Sequence, residues 1–307
     1  MWILLATLSL IIIFEFYLRY KDKKNSPLIF DIKNYPFYRY KKDTAGRQPW
    51  FLNRLGRKKT PIITISSNGI RGEIKKNGKD KILILGCSFT EGAGLLEEKT
   101  YPRILSTFLN SNKYEVINAG ISGYGIFQIL HLLESLIVHK PKIIIIQFLD
   151  FRRIPLDKMK IARAKLVLQN FQKLKKLSHA LTYVYKKVLK NTDYLSEPYY
   201  FHSIGLSNDD AWQANLKYLE LISSICKREH IPVLFFQWPG IPFFSEKLRE
   251  FSQSHGDYFC DPSEIYSYYK LEELQLDKHD SHPNELANRL IAKSLYGVFQ
   301  KTHLVKE

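Results

Sequence analysis

The stretch from Lys81 to Gly94, KILILGCSFTEGAG, constrains the fold more than any other part of the chain. Ile82 to Leu85 is an uninterrupted apolar run followed by Gly86, a pattern typical of a strand buried on both faces of a parallel sheet. Ligands of open α/β sheets bind at the carboxyl ends of the strands, so we expect Ser88 to lie at a binding edge. A nucleophilic serine, a phosphate-binding loop and a plain strand-to-helix turn remain open here. The Lys-Ser/Thr pair of the common phosphate-binding motif is missing.

Further apolar runs alternate with helical patterns along the rest of the chain. We predict strands at residues 114–117, 143–148, 231–237 and 258–260, and helices at residues 97–109, 127–139, 208–229 and 285–300. Strands that alternate with helices through short connections form right-handed parallel crossovers. Together with the first strand, this pattern predicts an α/β fold with a five-stranded parallel sheet.

The first 20 residues are almost wholly apolar, with Glu15 and Arg19 as the charged exceptions. A run of this length is near the lower limit for crossing a membrane. It also lacks the basic start and the small-residue cleavage site of a secretory signal. We therefore predict a transmembrane anchor at residues 1–20, with a buried N-terminal helix as the alternative. We expect residues 21–80 to be a linker and lead-in that packs over the main domain at residues 81–300.

The 307 residues carry a formal net charge of +16, which indicates anionic partners such as phosphate-bearing glycans, acidic lipid headgroups or nucleic acid. Most of this excess lies in a predicted helical insertion at about residues 151–206. Apolar residues recur every three to four positions from Val167 to Val188, which predicts one long helix with lysines mostly on its other faces. The basic face is either solvated or in contact with anionic headgroups. Because no nucleic-acid-binding module is recognisable, we expect no nucleic-acid partner.

The cysteines indicate neither a metal site nor a disulfide framework. Cys87, Cys226 and Cys260 have no metal-type spacing, and three thiols cannot form a set of paired bridges. Cys226 falls in a helical pattern and Cys260 ends a strand, so we expect both to be buried. The sequence therefore predicts no metal and no cofactor.

A serine can act as a nucleophile only when a base lies within hydrogen-bond reach and donors stabilise the developing oxyanion. His282 is the candidate base, because its polar loop, KHDSHPN, follows the last predicted strand and can lie at the same edge of the sheet as Ser88. Asp280 stands two residues before it and is placed to orient the imidazole ring.

In order and spacing, four segments resemble the sequence blocks of the SGNH/GDSL hydrolases. They are GCSFTEGAG with Ser88, NAGISGYG with Gly120, the third strand ending near Asp150, and DSHPN with Asp280 and His282. The resemblance runs from about residue 68 to the final helix. It implies a flavodoxin-like, three-layer α/β/α domain. It also implies Ser88 as the nucleophile, His282 as the base, and the backbone N–H groups of Ser88 and Gly120 as oxyanion donors.

The chain departs from the family pattern at three positions. Cys87 stands where the first block has Asp, and we expect it to be a small buried filler rather than a reactive thiol. Leu149 stands where the third block supplies an Asn donor, and the loss of one donor can reduce the rate by about 10²–10³-fold. Gln147 and Arg152 are nearby candidates to replace that donor. The family's acid often lies three residues before the base, where this chain has a histidine; we assign Asp280, with Asp277 in reserve.

Members of the family are esterases, lipases, carbohydrate deacetylases and O-acyltransferases. We therefore expect a serine esterase or O-acyltransferase that acts through an acyl-enzyme on acyl esters of a cell-envelope glycan or lipid. The alternative, favoured by Leu149, is a non-catalytic envelope-assembly or glycan-binding protein on the same fold. Lysines after the anchor would place the domain in the cytoplasm by the positive-inside rule, whereas tethered family members lie outside. We predict a single-pass membrane protein with an extracytoplasmic (periplasmic) domain, attached to the membrane by its N-terminal helix.

Overall fold

The computed structural model describes residues 2–25, 30–31, 33, 37–48, 60–148, 165–166, 169–170, 173–188, 207–238, 242–263, 267–278 and 280–305. The helices are α1 (Trp2–Asn25), α2 (Ser88–Glu91), α3 (Tyr101–Phe108), α4 (Ile126–Leu136), α5 (His179–Val188), α6 (Asn208–Arg228), α7 (Pro242–Ser254), α8 (Leu271–Leu274) and α9 (Glu285–Thr302). The strands are β1 (Phe30–Asp31), β2 (Arg39–Tyr40), β3 (Thr44–Gly46), β4 (Ile63–Ile65), β5 (Asp80–Gly86), β6 (Tyr114–Gly120), β7 (Ile143–Phe148), β8 (Val233–Gln237), β9 (Tyr258–Cys260), β10 (Gln275–Asp277) and β11 (Asp280–Pro283).

The central sheet has five strands in the order β6-β5-β7-β8-β9, and every neighbouring pair is parallel. Counted along the chain within this sheet, the order is 2-1-3-4-5, which is the flavodoxin-like arrangement. In that arrangement a crevice opens at the carboxyl edge between the first and third strands, which here are β5 and β7. The predicted α/β fold with a five-stranded parallel sheet is therefore confirmed.

The sheet is covered on both faces, and β5 shows how the sequence produces this. Leu83 and Leu85 belong to a core with residues of α4, α6 and α7. Ile82 and Ile84 belong to the opposite core with residues of α3 and α9. Because successive side chains of a strand point to opposite faces, a strand between two helical layers must be apolar at every position.

The lead-in forms part of the core. Tyr38 and Tyr40 are buried, and Ile63, Ile65 and Ile70 join the core cluster on the α4 side of the sheet. Within the lead-in, β4 pairs antiparallel with β3 in a separate two-stranded sheet.

The structure does not bear out the transmembrane anchor predicted at residues 1–20. Residues 2–20 of that segment lie within α1, and no helix in the described part of the chain is both long and apolar enough to cross a membrane. The charged residues Glu15 and Arg19 lie inside the helix. The apolar stretch before Glu15 is thus shorter than the roughly 20 residues that a span requires.

Most of the predicted insertion at residues 151–206 lies outside the described residues. The single long helix expected from Val167 to Val188 is interrupted where it can be followed, because residues 173–177 are helical, Ser178 is not, and α5 starts afterwards. The Ser178 hydroxyl accepts the N–H of Leu181 at 3.1 Å. The Glu15 carboxylate accepts the N–H of Ala180 at 2.7 Å. These acceptors satisfy orphan donors of a new helix start, which apolar periodicity cannot indicate.

Candidate active site

Ser88 is the first residue of α2, directly after the carboxyl end of β5 and the turn at Cys87. The tight join between strand and helix depends on Gly86. A Cβ atom at that position would overlap the Thr90 hydroxyl and come within 2.6 Å of the Gln147 side-chain oxygen. The glycine therefore lets the helix fold back onto the strand end, which leaves Ser88 at the edge of the sheet.

Ser88, His282 and Asp280 form a hydrogen-bonded chain. His282 Nε2 lies 2.9 Å from Ser88 Oγ, although the two residues are 194 positions apart in sequence. His282 Nδ1 lies 2.6 Å from Asp280 Oδ1. The same oxygen accepts the backbone N–H of His282 at 3.0 Å, which fixes the carboxylate relative to the ring. The structure thus brings together the candidate nucleophile, the candidate base and a carboxylate placed to orient that base.

The three residues differ in their access to solvent. The Asp280 side chain is fully buried, whereas 17% of the His282 side chain remains exposed. The His282 ring lies 5.1 Å from the Phe89 ring, and Phe89 in turn packs edge-on against Trp238, also at 5.1 Å. The aromatic side chains shield one side of the imidazole, while its exposed part remains open to a substrate.

Asp280 is the candidate acid that the structure places on the His282 ring, whereas the reserve candidate is Asp277. Asp277 lies on β10, whereas Asp280 starts β11 and contacts His282 directly. His279, at the usual family position of the acid, lies outside the described residues. The loop predicted around His282 is wrong in part, because residues 280–283 pair with β10 in a short hairpin. Its polar sequence lacks the alternating pattern by which a strand is usually recognised.

The N–H of Gly120, expected as an oxyanion donor, is already hydrogen-bonded within the protein. That N–H donates to the Asn118 side-chain oxygen at 3.1 Å. A Cβ atom at Gly120 would overlap the backbone N of Glu91, so this glycine allows β6 and α2 to approach closely. The structure therefore assigns Gly120 a packing role in its present hydrogen-bonded state.

The loop after Gly120 offers a different donor. The N–H groups of residues 121, 122, 124 and 125 donate to Gly86 O, Glu91 Oε2, Ile121 O and Gln128 Oε1. Gly123, with φ of 83° and partial exposure, is the residue of this loop whose N–H has no acceptor among the described residues. Sequence reasoning missed it, although the first glycine of the SGYG segment was a visible signal.

The third motif can be followed only as far as Phe148. Leu149, Asp150 and Arg152 lie outside the described residues. Gln147 is buried, and its oxygen accepts the N–H of Cys87 at 3.2 Å and the hydroxyl of Thr90 at 3.0 Å. Gln147 therefore holds the turn in front of Ser88. Its Nε2 has no partner among the described residues.

The cysteines are buried free thiols, as expected for Cys226 and Cys260. Burial raises the pKa of each of these two thiols to about 12, which keeps them protonated at neutral pH. Cys87 is also buried and donates to Gln147 Oε1 at 3.3 Å. Within the described ranges, no group of His, Cys, Asp and Glu side chains is arranged to hold a metal ion.

No protein-family model matches the chain, and no curated protein matches its sequence. Solved structures are similar at low sequence identity. A member of the lipolytic protein G-D-S-L family from Veillonella parvula is 15% identical, covering 72% of this chain and 98% of its own, with a TM-score of 0.44. TesA is 13% identical, covering 74% of this chain and 100% of its own, with a TM-score of 0.47. AlinE4, described as an SGNH-hydrolase family esterase, is 18% identical, covering 75% of this chain and 95% of its own, with a TM-score of 0.41.

Proposed function

We propose that this chain is a serine esterase or O-acyltransferase of the SGNH/GDSL type. The observation that carries the proposal is the continuous hydrogen-bonded chain Ser88–His282–Asp280 at the carboxyl edge of the sheet. A hydroxyl that already contacts an imidazole nitrogen at 2.9 Å has a proton acceptor in place. A buried carboxylate on the other ring nitrogen stabilises the charged imidazolium that forms.

The reaction then proceeds in two halves. Ser88 Oγ attacks the ester carbonyl carbon while His282 Nε2 takes the hydroxyl proton, and the carbonyl oxygen becomes an oxyanion. When this intermediate collapses, the bond to the alcohol breaks, and His282 returns the proton to the leaving oxygen. Water, or a sugar hydroxyl in the transfer reaction, next attacks the acyl carbonyl carbon while His282 takes its proton. When this second intermediate collapses, the bond from the acyl carbon to Ser88 Oγ breaks, and His282 returns the proton to Ser88.

We assign oxyanion stabilisation to backbone donors at Ser88 and Gly123. The Ser88 N–H belongs to the first turn of α2, where helical N–H groups have no intrahelical acceptor. Gly123 replaces Gly120 in this role because the Gly120 N–H already donates to Asn118. Backbone donors near the nucleophile would also lessen the consequence of Leu149 at the usual Asn position.

The proposed substrate is an acylated glycan or lipid of the cell envelope. The net charge of +16 favours an anionic substrate or an anionic surface near it. The alternative function, a non-catalytic glycan-binding protein, is favoured by Leu149 alone. The hydrogen bond between Ser88 and His282 favours the enzyme, because a binding site does not need a serine paired with a base.

A fluorophosphonate probe tests the proposed chemistry. We expect the wild type to be labelled, and labelling to be lost in Ser88→Ala and strongly reduced in His282→Ala. Ser106→Ala is the matched control, since the Ser106 hydroxyl is exposed and donates to Arg103 O within α3. Absence of labelling in the wild type, or full labelling of Ser88→Ala, would contradict the proposed function.

We also propose that α1 and α5 attach the protein to an anionic membrane surface. The side chains of residues 7–14, which cover every face of α1, are exposed, and Ile11, Ile13 and Phe16 reach 54%, 63% and 68%. Leu181 and Val184 add exposed apolar surface on α5. Apolar helices accompanied by lysines bind the interface of bilayers with acidic lipids.

The contacts at Glu15 place basic residues beside this apolar surface. The Arg19 guanidinium donates to Leu177 O at 3.2 Å, so the end of α1 that carries Lys21, Lys23 and Lys24 lies next to residues 173–177. That segment adds Lys173 and Lys176, both exposed. The charge complements acidic headgroups, which is why we name an anionic bilayer rather than a second copy of the chain.

Vesicle sedimentation tests this attachment. The full chain should sediment with phosphatidylglycerol-containing vesicles more strongly than with phosphatidylcholine vesicles, and Phe16→Glu should reduce sedimentation. Val138→Glu, at an apolar position that is 70% exposed outside α1 and α5, is the control. Equal sedimentation of Phe16→Glu and wild type, or dimer formation without lipid, would overturn the proposal.

A further inference from the structure

Glu91 is a buried carboxylate that the proposed reaction does not use. It is the last residue of α2, the four-residue helix that begins with Ser88, and it has no exposed surface. A buried charge is costly unless it is paired or hydrogen-bonded. The position of Glu91, one helical turn from the nucleophile, therefore needs an explanation beyond filling space.

Four donors from two other parts of the chain meet this carboxylate. Its Oε1 accepts the hydroxyl of Tyr40 and the amide of Gln48, each at 2.6 Å. Its Oε2 accepts the backbone N–H of Ser122 at 2.9 Å and also the Ser122 hydroxyl. One oxygen thus binds the lead-in, and the other binds the loop that contains Gly123.

The hydrogen-bond geometry around Glu91 favours the ionised form, against the effect of burial. Burial raises the pKa of Glu91 above its ordinary value, and the hydrogen bonds from Ser122, Tyr40 and Gln48 and the charge of Arg71 oppose this rise without cancelling it. The N–H of Ser122 and the amide NH₂ of Gln48 can only donate. A carboxylate accepts all four bonds, whereas a neutral carboxyl would bring a proton into a site already filled with donors.

Further bonds tie the same three segments together. Arg71, also from the lead-in, donates to the main-chain oxygens of Glu91 and Gly92 at 2.7 and 3.0 Å. The Tyr38 hydroxyl donates to Ser122 O at 2.8 Å. Gln48 also accepts the N–H of Gly94 at 2.9 Å. The lead-in therefore contacts both the nucleophile helix and the Gly120–Gly125 loop, each through more than one bond.

We infer that Glu91 is a positioning residue: its carboxylate, held by Tyr40 and Gln48, fixes the Gly120–Gly125 loop at the distance from Ser88 that oxyanion stabilisation requires. This inference rests on the proposed function. It predicts that the lead-in is a working part of the active site. A shift of about 1 Å in such a group can reduce the rate by about 100-fold, because catalytic donors act only at short range.

Glu91→Gln is the main test, since it keeps the shape of the side chain but turns an NH₂ group toward donors. With p-nitrophenyl acetate, we expect kcat per titrated active site to fall by about 10–100-fold with little change in KM. We also expect faster amide hydrogen exchange at residues 120–125. Tyr40→Phe should give the same pattern with a smaller loss, and it serves as the test if Glu91→Gln does not fold.

Ser66→Ala is the matched control, because it removes a lead-in hydrogen bond, to Ile70 O, that does not involve Glu91. It should leave kcat and the exchange of residues 120–125 unchanged. Wild-type kcat and wild-type exchange in Glu91→Gln and Tyr40→Phe would overturn the inference while leaving the proposed esterase intact. A wild type that neither hydrolyses the ester nor reacts with fluorophosphonate would instead remove the proposed function, and the exchange measurement would still report whether Glu91 holds the loop.

Discussion

The dual role of one Asp280 oxygen leads to a specific prediction about Asp280→Asn. Oδ1 accepts both the backbone N–H and the ring Nδ1–H of His282. Because a backbone N–H can only donate, an asparagine should keep its oxygen at this position and hold its NH₂ away. The imidazole then keeps the tautomer in which Nε2 is free to accept the Ser88 proton, and only the negative charge is lost.

The expected loss follows from the difference between charged and neutral acceptors. A hydrogen bond to a charged group contributes about 1.5–3 kcal/mol and a neutral one about 0.5–1.5 kcal/mol, a difference of about 1–1.5 kcal/mol, or roughly tenfold. The imidazolium of the transition state adds to this, so we expect kcat/KM to fall by about 10–100-fold in Asp280→Asn. Asp280→Ala also loses the orientation of the ring and should fall by about 10³–10⁴-fold.

The measurement is kcat/KM for p-nitrophenyl acetate, with active sites counted by fluorophosphonate titration. Asp277→Asn is the control on the partner strand and should remain near wild type. If Asp280→Asn is as slow as Asp280→Ala, the amide has turned its NH₂ toward the ring and the argument from the shared oxygen is wrong. If Asp280→Ala is as fast as wild type, Asp280 does not orient the base.

Three further predictions concern packing, thiol reactivity and acid. Gly120→Ala should lower the free energy of unfolding by about 1–3 kcal/mol, since its Cβ overlaps backbone; Gly297→Ala in α9, where a Cβ meets nothing, should instead raise it by about 1 kcal/mol in thermal unfolding. Iodoacetamide should leave Cys87 of the native protein unmodified and esterase activity intact; rapid inactivation through this thiol would contradict its burial. Burial opposes ionisation of Glu15. The backbone N–H groups of Ala180 and His179 and the side chains of Ser178 and Arg19 donate hydrogen bonds that outweigh this effect and lower the pKa of Glu15 to about 2. The stabilisation by Glu15 is therefore present above the ordinary pKa near 4.5 and is lost as pH falls toward 2, so the difference in Tm between wild type and Glu15→Gln should narrow from pH 6 to pH 3.

The sheet was predictable because its strands are buried on both faces. A strand such as β7, IIIIQF, has no polar face to confuse with a surface helix, and its neighbours are separated by helices with clear apolar periodicity. The candidate triad was predictable for a related reason. Ser88 follows β5, and His282 precedes α9. The topology of a parallel α/β fold brings these two segments to one edge of the sheet, so their convergence follows from the fold.

The remaining features depend on contacts between distant residues, which local patterns do not encode. The polar hairpin at β10 and β11 has no alternating apolar residues, and the break at Ser178 depends on Glu15, far away in sequence. The lead-in has no regular apolar period, because Tyr40 and Gln48 make individual hydrogen bonds to Glu91 rather than contribute to a repeating apolar face. The sequence shows an acid three residues after Ser88, but neither its burial nor its partners.

The geometry of Ser88 is itself a tertiary property. An isolated helix of four residues has no stability in water, because nucleation of a helix is unfavourable until many more hydrogen bonds form. Each end of α2 is instead held from outside. Gln147 accepts the N–H of Cys87 in front of it, and Arg71 donates to main-chain oxygens at its end. A motif of a few residues can therefore identify the nucleophile, whereas the precision of its placement depends on side chains that lie before and after it in the chain.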